Sequence, residues 1–308
     1  MKRVALFLIS GLAALALWAQ QATIVPRWQV GDSLVYHKTM STVITRDGDS
    51  TRIEAQADEA VTVLQRTATG YVVAVNTLAS SSRVTEGHNA VADTLLALMS
   101  GNAALLNLRV LYATDSSGKP VEVLNWQQLQ EASRRMCDSL YNWIAAYAKS
   151  QSFDLEMVMP KQAFDSTLQA RVSKERLLQL TATSPLYLYG KNIAGGEYTV
   201  YKPATQLEGA HVERALTAVQ SADDLLGEAM QTPMLKQLLA SMPASMLPMI
   251  KEQLKAQLGQ GRKMTDATVY DCYVNGWIRK IADSITTTET KSTTQVTTTS
   301  ECVYHSWK

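Results

Sequence analysis

The stretch that decides the fold runs from Ala267 to Trp307 and reads ATVYDCYVNGWIRKIADSITTTETKSTTQVTTTSECVYHSW. Asn275-Gly276 lies between two β-prone runs, and this dipeptide favours a two-residue type I′ hairpin turn because both residues accept a positive φ. The register that this turn predicts pairs Val274 with Trp277, Cys272 with Arg279, Asp271 with Lys280 and Tyr270 with Ile281. We therefore expect a hairpin whose buried face carries Trp277.

A threonine-rich segment follows the hairpin and predicts a third strand, because β-branched residues favour the extended conformation. Its side chains are mostly polar on both faces, a composition typical of a solvated edge strand rather than of the centre of a sheet. Such an edge would bind a partner protein by strand addition. The positions of this candidate docking edge are Gln295, Thr297, Thr299 and Glu301.

The three cysteines, Cys137, Cys272 and Cys302, form neither a CxxC pair nor a metal-ligand spacing. In an oxidising compartment Cys272 and Cys302 are candidates for a disulfide. If they lie on the first and third strands of a meander, their Cα atoms are roughly 9–10 Å apart, beyond the ~7 Å that a disulfide allows. A disulfide and buried free thiols both stay open on the sequence alone.

The rest of the chain predicts an α+β fold. Leu34 and Tyr36 alternate with polar side chains, a period of two that predicts a strand with one buried face. The segments that we expect are a β-meander over 27–84, a mainly helical region with one hairpin over 88–182, short strands within 186–202, methionine-rich helices within 221–258 and a C-terminal β-meander over 267–307. Residues 20–308 then form one domain, in which an antiparallel sheet from both ends of the chain packs on or around central helices.

The strongest helical pattern runs from Trp126 to Lys149, and Asn125 precedes it as a candidate N-cap. Large side chains recur largely at three- or four-residue spacing, which predicts a helix with one apolar face. Because such stripes are typical of core helices, we interpret this one as a packing surface rather than as an aromatic ligand site. The members of the stripe are Trp126, Leu129, Met136, Leu140, Trp143 and Tyr147.

The N-terminus has the layout of a secretory signal peptide. Lys2 and Arg3 precede an apolar run from Val4 to Trp18, and cleavage is expected after Ala19. The alternative is a retained anchor helix, but a bilayer span needs about 20 apolar residues and this run is shorter. No cysteine lies near the cleavage point, so a lipoprotein is not predicted. We expect a periplasmic or secreted protein, with residues 1–19 removed and no transmembrane span left.

The charge of the mature chain is nearly balanced. Removal of Lys2 and Arg3 leaves 27 basic side chains against 28 acidic ones, a net charge of −1. A balanced chain lacks the basic surface that binds nucleic acid or an anionic membrane. We therefore expect no nucleic-acid partner.

The sequence predicts no catalytic residue, metal site or cofactor. It contains no GxSxG, HExxH or CxxC motif and no glycine-rich phosphate loop, and it has only four histidines. A hydrolase built on scattered Asp, Ser and His side chains is the weakest of three functional hypotheses. A cleft that brings a histidine within hydrogen-bond reach of a carboxylate would favour it.

Half of the twelve methionines lie between Met230 and Met264, interleaved with leucines. Flexible thioethers occur on surfaces that accept varied apolar partners, and they also fill gaps in ordinary helical cores. The functional hypothesis is a helical lid over an apolar groove that binds a lipid-like or other apolar ligand, and the alternative is a core. The candidate groove residues are Met230, Met234, Leu238, Met242, Met246 and Met249.

The layout resembles a family of uncharacterised exported bacterial proteins, a domain of unknown function. The motifs that carry this resemblance are Trp28-x-x-Gly31-Asp32, Asp115-x-x-Gly118, Val123-x-Asn125 and Asn275-Gly276-Trp277 ahead of the threonine-rich strand. A looser likeness is to periplasmic lipoprotein-carrier folds, in which a curved antiparallel sheet wraps apolar helices around a lipid cavity. The resemblance implies an exported protein and brings no activity with it. Our functional hypothesis is an exported cell-envelope protein that binds an apolar ligand or an envelope partner, and the alternative is a structural role in assembly.

Overall fold

The computed structural model describes residues 23–87, 109–150, 152, 154–171, 173–193, 198–240, 242–243, 246–259, 261–290 and 292–307. The predicted signal peptide, residues 1–19, and the helical pattern that begins near residue 89 lie outside these ranges. No helix in the described ranges is both long and apolar enough to cross a lipid bilayer.

One antiparallel sheet of ten strands dominates the described part of the chain. The strands are β1 (Ser33–Arg46), β2 (Asp49–Arg66), β3 (Tyr71–Glu86), β4 (Arg109–Thr114), β5 (Pro120–Val123), β6 (Tyr198–Lys202), β7 (His211–Gln220), β8 (Arg262–Cys272), β9 (Ile278–Glu289) and β10 (Ser292–Ser306). Their order is β5-β4-β3-β2-β1-β10-β9-β8-β7-β6. The N-terminal and C-terminal meanders are thus joined by the pairing of β1 with β10.

Seven helices are described: four lie between β5 and β6, the two edge strands of the sheet, and three lie between the neighbouring strands β7 and β8. They are α1 (Trp126–Ser150), α2 (Leu155–Val158), α3 (Lys161–Arg171), α4 (Lys174–Gln179), α5 (Ala222–Gln231), α6 (Pro233–Ala240) and α7 (Leu247–Leu258). Helix α1 contacts α2 and α3, α6 contacts α3 and α5, and α5 contacts α7. The predicted α+β class, with a sheet from both ends of the chain and helices between them, is confirmed.

The predicted edge position of the threonine-rich strand is wrong. β10 is an interior strand that pairs with β1 from Ser33 to Arg46 and with β9 from Thr293 to Glu301. Threonine has high β propensity and tolerates a central position where one face meets solvent. From Gln295 to Glu301, the span of the predicted docking edge, β10 therefore offers no free backbone edge.

The predicted type I′ turn at Asn275-Gly276 is wrong, and a turn of this kind occurs in the first hairpin, where that turn type was not predicted. Asp47 and Gly48 connect β1 to β2 as a two-residue loop, with φ of 51° and 95°. In the C-terminal hairpin the amide of Gly276 donates to Tyr273 O at 2.9 Å, and Gly276 has φ 85° whereas Asn275 does not have a positive φ. The glycine thus occupies the left-handed position that follows a wider turn.

The wider turn shifts the register near the loop. Tyr270 pairs with Ile281 and Asp271 with Lys280, as predicted. A bulge after Asp271 then pairs Cys272 with Ile278 instead of Arg279. Trp277 is fully buried at the base of this hairpin.

Three local expectations differ from the structure. The buried face of α1 carries Leu129, Ala132, Ser133, Cys137, Tyr141 and Ala148, so it is rotated from the predicted stripe, and Tyr147 is exposed. Asn125 does not cap this helix, because its side chain accepts from Leu111 N and donates to Arg109 O of β4. Leu186–Tyr189 form turns rather than a strand, and strand β7 was not predicted.

The two faces of the sheet follow from strand alternation. We call the face that carries Leu34 and Tyr36 the core face and the opposite one the outer face. We also divide the sheet into two halves along the direction of its strands. The proximal half contains Ser33 and Ser306, and the distal half contains Arg46 and Ser292.

The main core lies on the core face of the proximal half. Trp28 stacks on Trp277 with ring centroids 4.5 Å apart, and it meets Tyr189 edge-on at 4.7 Å. The buried turn segment Leu186–Tyr189 covers this part of the sheet. Aromatic pairs of this kind add about 0.5–1.5 kcal/mol each to the burial of their area.

Candidate functional site

An apolar surface continues along the core face into the distal half, but there it is only partly covered. Leu34, Tyr36 and Ile281 are fully buried in the proximal half, whereas Met40 on the same face is 37% exposed. The residues around it are partly exposed. We call this surface the distal floor. Its apolar members are Met40, Ile44, Ile53, Met264, Ile285 and Val296, and Thr42, Thr294 and Thr298 lie among them on the same face.

A cavity of about 720 Å³ separates the end of the distal floor from helices α5 and α7. Its apolar lining consists of Ile44 from the floor, Leu225 of α5, and Ala256 and Leu258 of α7. Its polar lining is Arg46, Glu289, Thr290 and Ser292, at the strand ends and the turn that joins β9 to β10. Both the volume and the mixture of apolar walls with a few polar groups are typical of small-molecule sites.

Local sequence fixes the two helices above the cavity. Helix α5 begins at a capping box, in which Ser221 Oγ accepts from Asp224 N and the Asp224 carboxylate accepts from Ser221 N. Ser221 Oγ also donates to Asp224 Oδ2 at 2.7 Å, and this bond, followed by the one from Ser221 N, lowers the pKa of Asp224. Lys255 of α7 contacts Asp223 of α5 at 2.6 Å, which raises the pKa of Lys255. The ion pair ties the two helices to each other.

The end of α7 lies close to the turn between β9 and β10. Gly259 caps the helix with φ 58°, and a Cβ placed on it would come within 2.1 Å of Thr290 Oγ1. A glycine is therefore needed here both for its backbone conformation and for the close approach of the helix to the turn. This contact closes the distal end of the cavity.

A row of polar side chains crosses the middle of the core face and separates the distal floor from the proximal core. We call it the polar belt, and its members are Lys38, Glu59, Arg214, Asp266, Thr268, Asp283 and Ser300. Lys38 Nζ lies 2.8 Å from Glu59 Oε1, and Arg214 Nη1 lies 2.6 Å from Asp266 Oδ2. Most charges of the belt are thus paired, as buried charges must be.

Asp283 lies at the centre of the belt and is buried. Thr268 Oγ1 donates to Asp283 Oδ1 at 2.7 Å and lies 3.2 Å from Asp266 Oδ1. Burial raises the pKa of Asp283; the nearby Asp266 adds to this rise, and Thr268 and Arg214 oppose it. The carboxyl therefore holds its proton to a higher pH than an exposed aspartate does.

Of the predicted groove residues, the four whose side chains the structure describes, Met230, Met242, Met246 and Met249, do not line the cavity. Met230 and Met242 are partly exposed, Met246 and Met249 are exposed, and the side chains of Met234 and Leu238 are outside the described set. The segment that contains them does supply Leu225, Ala256 and Leu258 to the cavity wall. The sequence indicated this segment by its methionines and did not single out the aliphatic residues that line the cavity.

The predicted docking edge lies on an interior strand. Gln295, Thr297 and Thr299 are exposed on the outer face, where Thr39 and Thr299 hydroxyls lie 2.6 Å apart, and Glu301 pairs with Lys280 of β9. Because β1 and β9 occupy both sides of the strand, its backbone is not free for strand addition.

The cysteines are free thiols. Cys272 on β8 and Cys302 on β10 have β9 between them, which is the arrangement that keeps a disulfide from forming. Burial raises the pKa of Cys272 to about 12 and also raises the pKa of Cys302. Both thiols are thus poor nucleophiles at neutral pH.

Two histidines on the outer face lie within hydrogen-bond reach of carboxylates. His37 Nδ1 is 2.8 Å from Asp58 Oδ1, beside a recess of about 140 Å³ that also includes Ser80 and Ser81. His211 lies 2.7 Å from Asp271 and 3.2 Å from Glu213. Neither imidazole has a hydrogen bond to a serine or threonine hydroxyl in the described part of the chain, so no activated nucleophile accompanies these pairs.

The described residues contain no group of three or more His, Cys, Asp or Glu side chains that could hold a metal ion. Neither a family model nor a curated protein matches the chain. A solved structure titled "Lipid-protein interactions in lipovitellin" is similar at a TM-score of 0.40 and 7% sequence identity. The similarity covers 91% of this chain and 26% of that chain, so this chain corresponds to about a quarter of the length of that protein.

Proposed function

We propose that this protein is an exported, non-enzymatic binding protein of the cell envelope, which holds a lipid-like molecule between the distal floor and helices α5 and α7. The observation that carries the proposal is the change of burial along one face of the same strands. Leu34 and Tyr36 are fully covered, whereas Met40 and Ile44 further along β1 are not. A contiguous apolar surface that the protein leaves partly open is typical of a ligand site.

The cavity supplies the second support for the proposal. Ile44, Leu225 and Leu258 form apolar walls, and Arg46 and Glu289 stand at one end. An amphipathic molecule matches this distribution, because its chain covers the apolar walls while its polar group stays near the charges. Each 100 Å² of apolar surface that becomes covered favours binding by roughly 2.5 kcal/mol before the cost of association.

Lipid carried through purification provides a direct test. The protein is purified from its native host without detergent, and its organic extract is compared by mass spectrometry with that of a control protein from the same host. We expect an acyl-chain lipid at a substantial fraction of one molecule per protein. An empty extract, together with no binding of added fatty acid or phospholipid, would contradict the proposal.

A pair of variants locates the bound molecule. Ile44→Trp places a large side chain into the cavity, whereas Val43→Trp places the same side chain on the outer face of β1, one residue away. We expect Ile44→Trp to lose most of the bound lipid and Val43→Trp to retain it. Equal lipid content in the two variants would show that the lipid is bound elsewhere.

A further inference from the structure

The distal floor has a defined length along β1. Lys38 of the polar belt lies at one end and Arg46 at the other, and both are on the core face. At a rise of about 3.3 Å per residue, the six residues from Lys38 to Ile44 span about 20 Å. One acyl chain spans about 15 Å of a bilayer, which is half of its hydrocarbon thickness. The floor is therefore long enough for an acyl chain that lies parallel to β1.

The polar belt is unsuited to receive the polar end of such a molecule. Lys38 is occupied by Glu59 and has 20% of its side chain exposed, and Arg214 is buried against Asp266. A charged headgroup placed there would have to displace paired, largely buried partners, which is costly. The belt therefore limits how far the chain extends, and the headgroup lies at the other end of the floor.

The rim of the cavity at that other end carries charges of both signs. Arg46 pairs across the sheet with Ser292, and Ser292 Oγ donates to Glu289 Oε2 at 3.2 Å. The Arg46 side chain is 78% exposed, and the contact of its guanidinium with Asp47 is long, 3.9 Å. Strands β1 and β9 have β10 between them, so Arg46 and Glu289 stand roughly 9–10 Å apart across the sheet.

We infer that the ligand is a long-chain lipid with a zwitterionic headgroup, with its phosphate next to Arg46 and its ammonium group next to Glu289. This inference rests on the proposed function. A guanidinium favours a phosphate and a carboxylate favours an ammonium group, and the rim presents one of each. A lipid with a purely anionic headgroup would meet Glu289 unfavourably, and an uncharged one would gain no charge interaction with either rim residue.

Three lipids with the same palmitoyl chain test this inference by competition against a fluorescent fatty acid: lysophosphatidylethanolamine, lysophosphatidylglycerol and monopalmitoylglycerol. We expect lysophosphatidylethanolamine to compete best. Arg46→Gln should lower the affinity for both phosphate-bearing lipids by about threefold to fivefold, the effect expected from the loss of a partly exposed ion pair. The affinity for monopalmitoylglycerol should not change. Glu289→Gln should weaken only lysophosphatidylethanolamine, by a similar factor.

A matched control removes the same charges elsewhere. Arg83 and Glu54 form an ion pair on the outer face, at 2.9 Å, so Arg83→Gln and Glu54→Gln should leave all three affinities unchanged. Equal affinities for the three lipids, unaffected by the rim variants, would overturn the headgroup assignment and leave the binding function standing. Failure of all three lipids to displace the probe, or no binding of the probe itself, would count against the proposed function as well.

Discussion

Trp277 donates its indole N–H to the Asp32 carboxylate at 3.2 Å, and this bond joins the C-terminal hairpin to the turn that precedes β1. Asp32 is buried and also accepts from Gln29 N at 2.9 Å. Two segments from opposite ends of the chain are thus fixed to each other in the proximal core. Asp32 and Trp277 are 245 positions apart in the sequence. Their bond brings two motifs into one structural unit: Trp28-x-x-Gly31-Asp32 and Asn275-Gly276-Trp277.

The Trp277–Asp32 bond leads to a stability prediction. Trp277→Phe leaves a buried carboxylate with one donor fewer and removes part of the stacked pair with Trp28, so we expect a loss of roughly 2–4 kcal/mol. Trp307→Phe is the control: Trp307 is 36% exposed and stacks on His305 and Trp277, so we expect a loss of about 1 kcal/mol or less, smaller than that of Trp277→Phe. Urea unfolding followed by circular dichroism measures both. Similar losses for the two variants would contradict the role given to this bond.

Asp283 predicts a pH dependence of stability. Its pKa in the folded protein is raised above the ordinary value of 3.8, mainly by burial, so the folded state binds a proton more tightly than the unfolded chain. This contribution to stability is fully present below about pH 3.8 and is lost as the pH rises through the folded pKa. Asp283→Asn lacks a titrating group and should not show this loss.

The measurement for Asp283 compares the free energy of unfolding of the wild type and Asp283→Asn from pH 3.5 to 7.5. We expect the stability of the variant relative to the wild type to increase with pH and then to level off. Parallel curves across the whole range would mean that the folded protein does not perturb this carboxyl.

His211 also predicts a pH dependence of stability, in this case from a basic side chain. Hydrogen bonds to Asp271 and then to Glu213 raise its pKa above 6.5. The stabilisation is fully present below about pH 6.5 and is lost as the pH rises through the folded pKa. Because the side chain is 27% exposed, we expect His211→Gln to cost roughly 1 kcal/mol or less at pH 5.5 and less than that at pH 8.5. Equal costs at the two pH values would rule out the charged pair as its source.

Alanine substitutions at two glycines distinguish the stability cost of backbone strain from that of a steric clash. Gly48 has φ 95° with no atom within 4 Å of a Cβ added there, so Gly48→Ala should cost only the strain of a left-handed residue, roughly 1–2 kcal/mol. Gly276 has φ 85°, and its added Cβ would lie 2.7 Å from Val25 O. Gly276→Ala should therefore cost more than Gly48→Ala. Thermal unfolding compares them, and a smaller loss at Gly276 would contradict the close approach.

Much of the sheet could be predicted from the sequence because its signals are local. Alternation around Leu34 and Tyr36 and the pair Asp47-Gly48 indicate β1 and its turn within a few residues. Strand β7 is harder to predict, because buried Arg214 interrupts the apolar face of that strand. The position of β10 depends on which strands pair with it, and a polar strand that is central in the sheet has the same composition as an edge strand.

The candidate site could be predicted in part. The density of methionine drew attention to the helical segment from Met230 to Met249, and the helices α5 and α7 at its two ends line the cavity next to Ile44. The cavity itself depends on Ile44 meeting Leu225 and Leu258 across the chain, a contact that no local pattern reports. Partial burial of the distal floor is likewise a property of the assembled sheet.

The most direct test of the account is the binding of a dansyl-labelled fatty acid to the wild type, Ile44→Trp and Val43→Trp, followed by the increase in dansyl fluorescence. We expect saturable binding by the wild type and by Val43→Trp, and a loss of at least tenfold in the affinity of Ile44→Trp, about 1.4 kcal/mol. Circular dichroism confirms that the variants are folded. No binding by the folded wild type, or equal binding by the three proteins, would contradict a ligand site between the distal floor and helices α5 and α7.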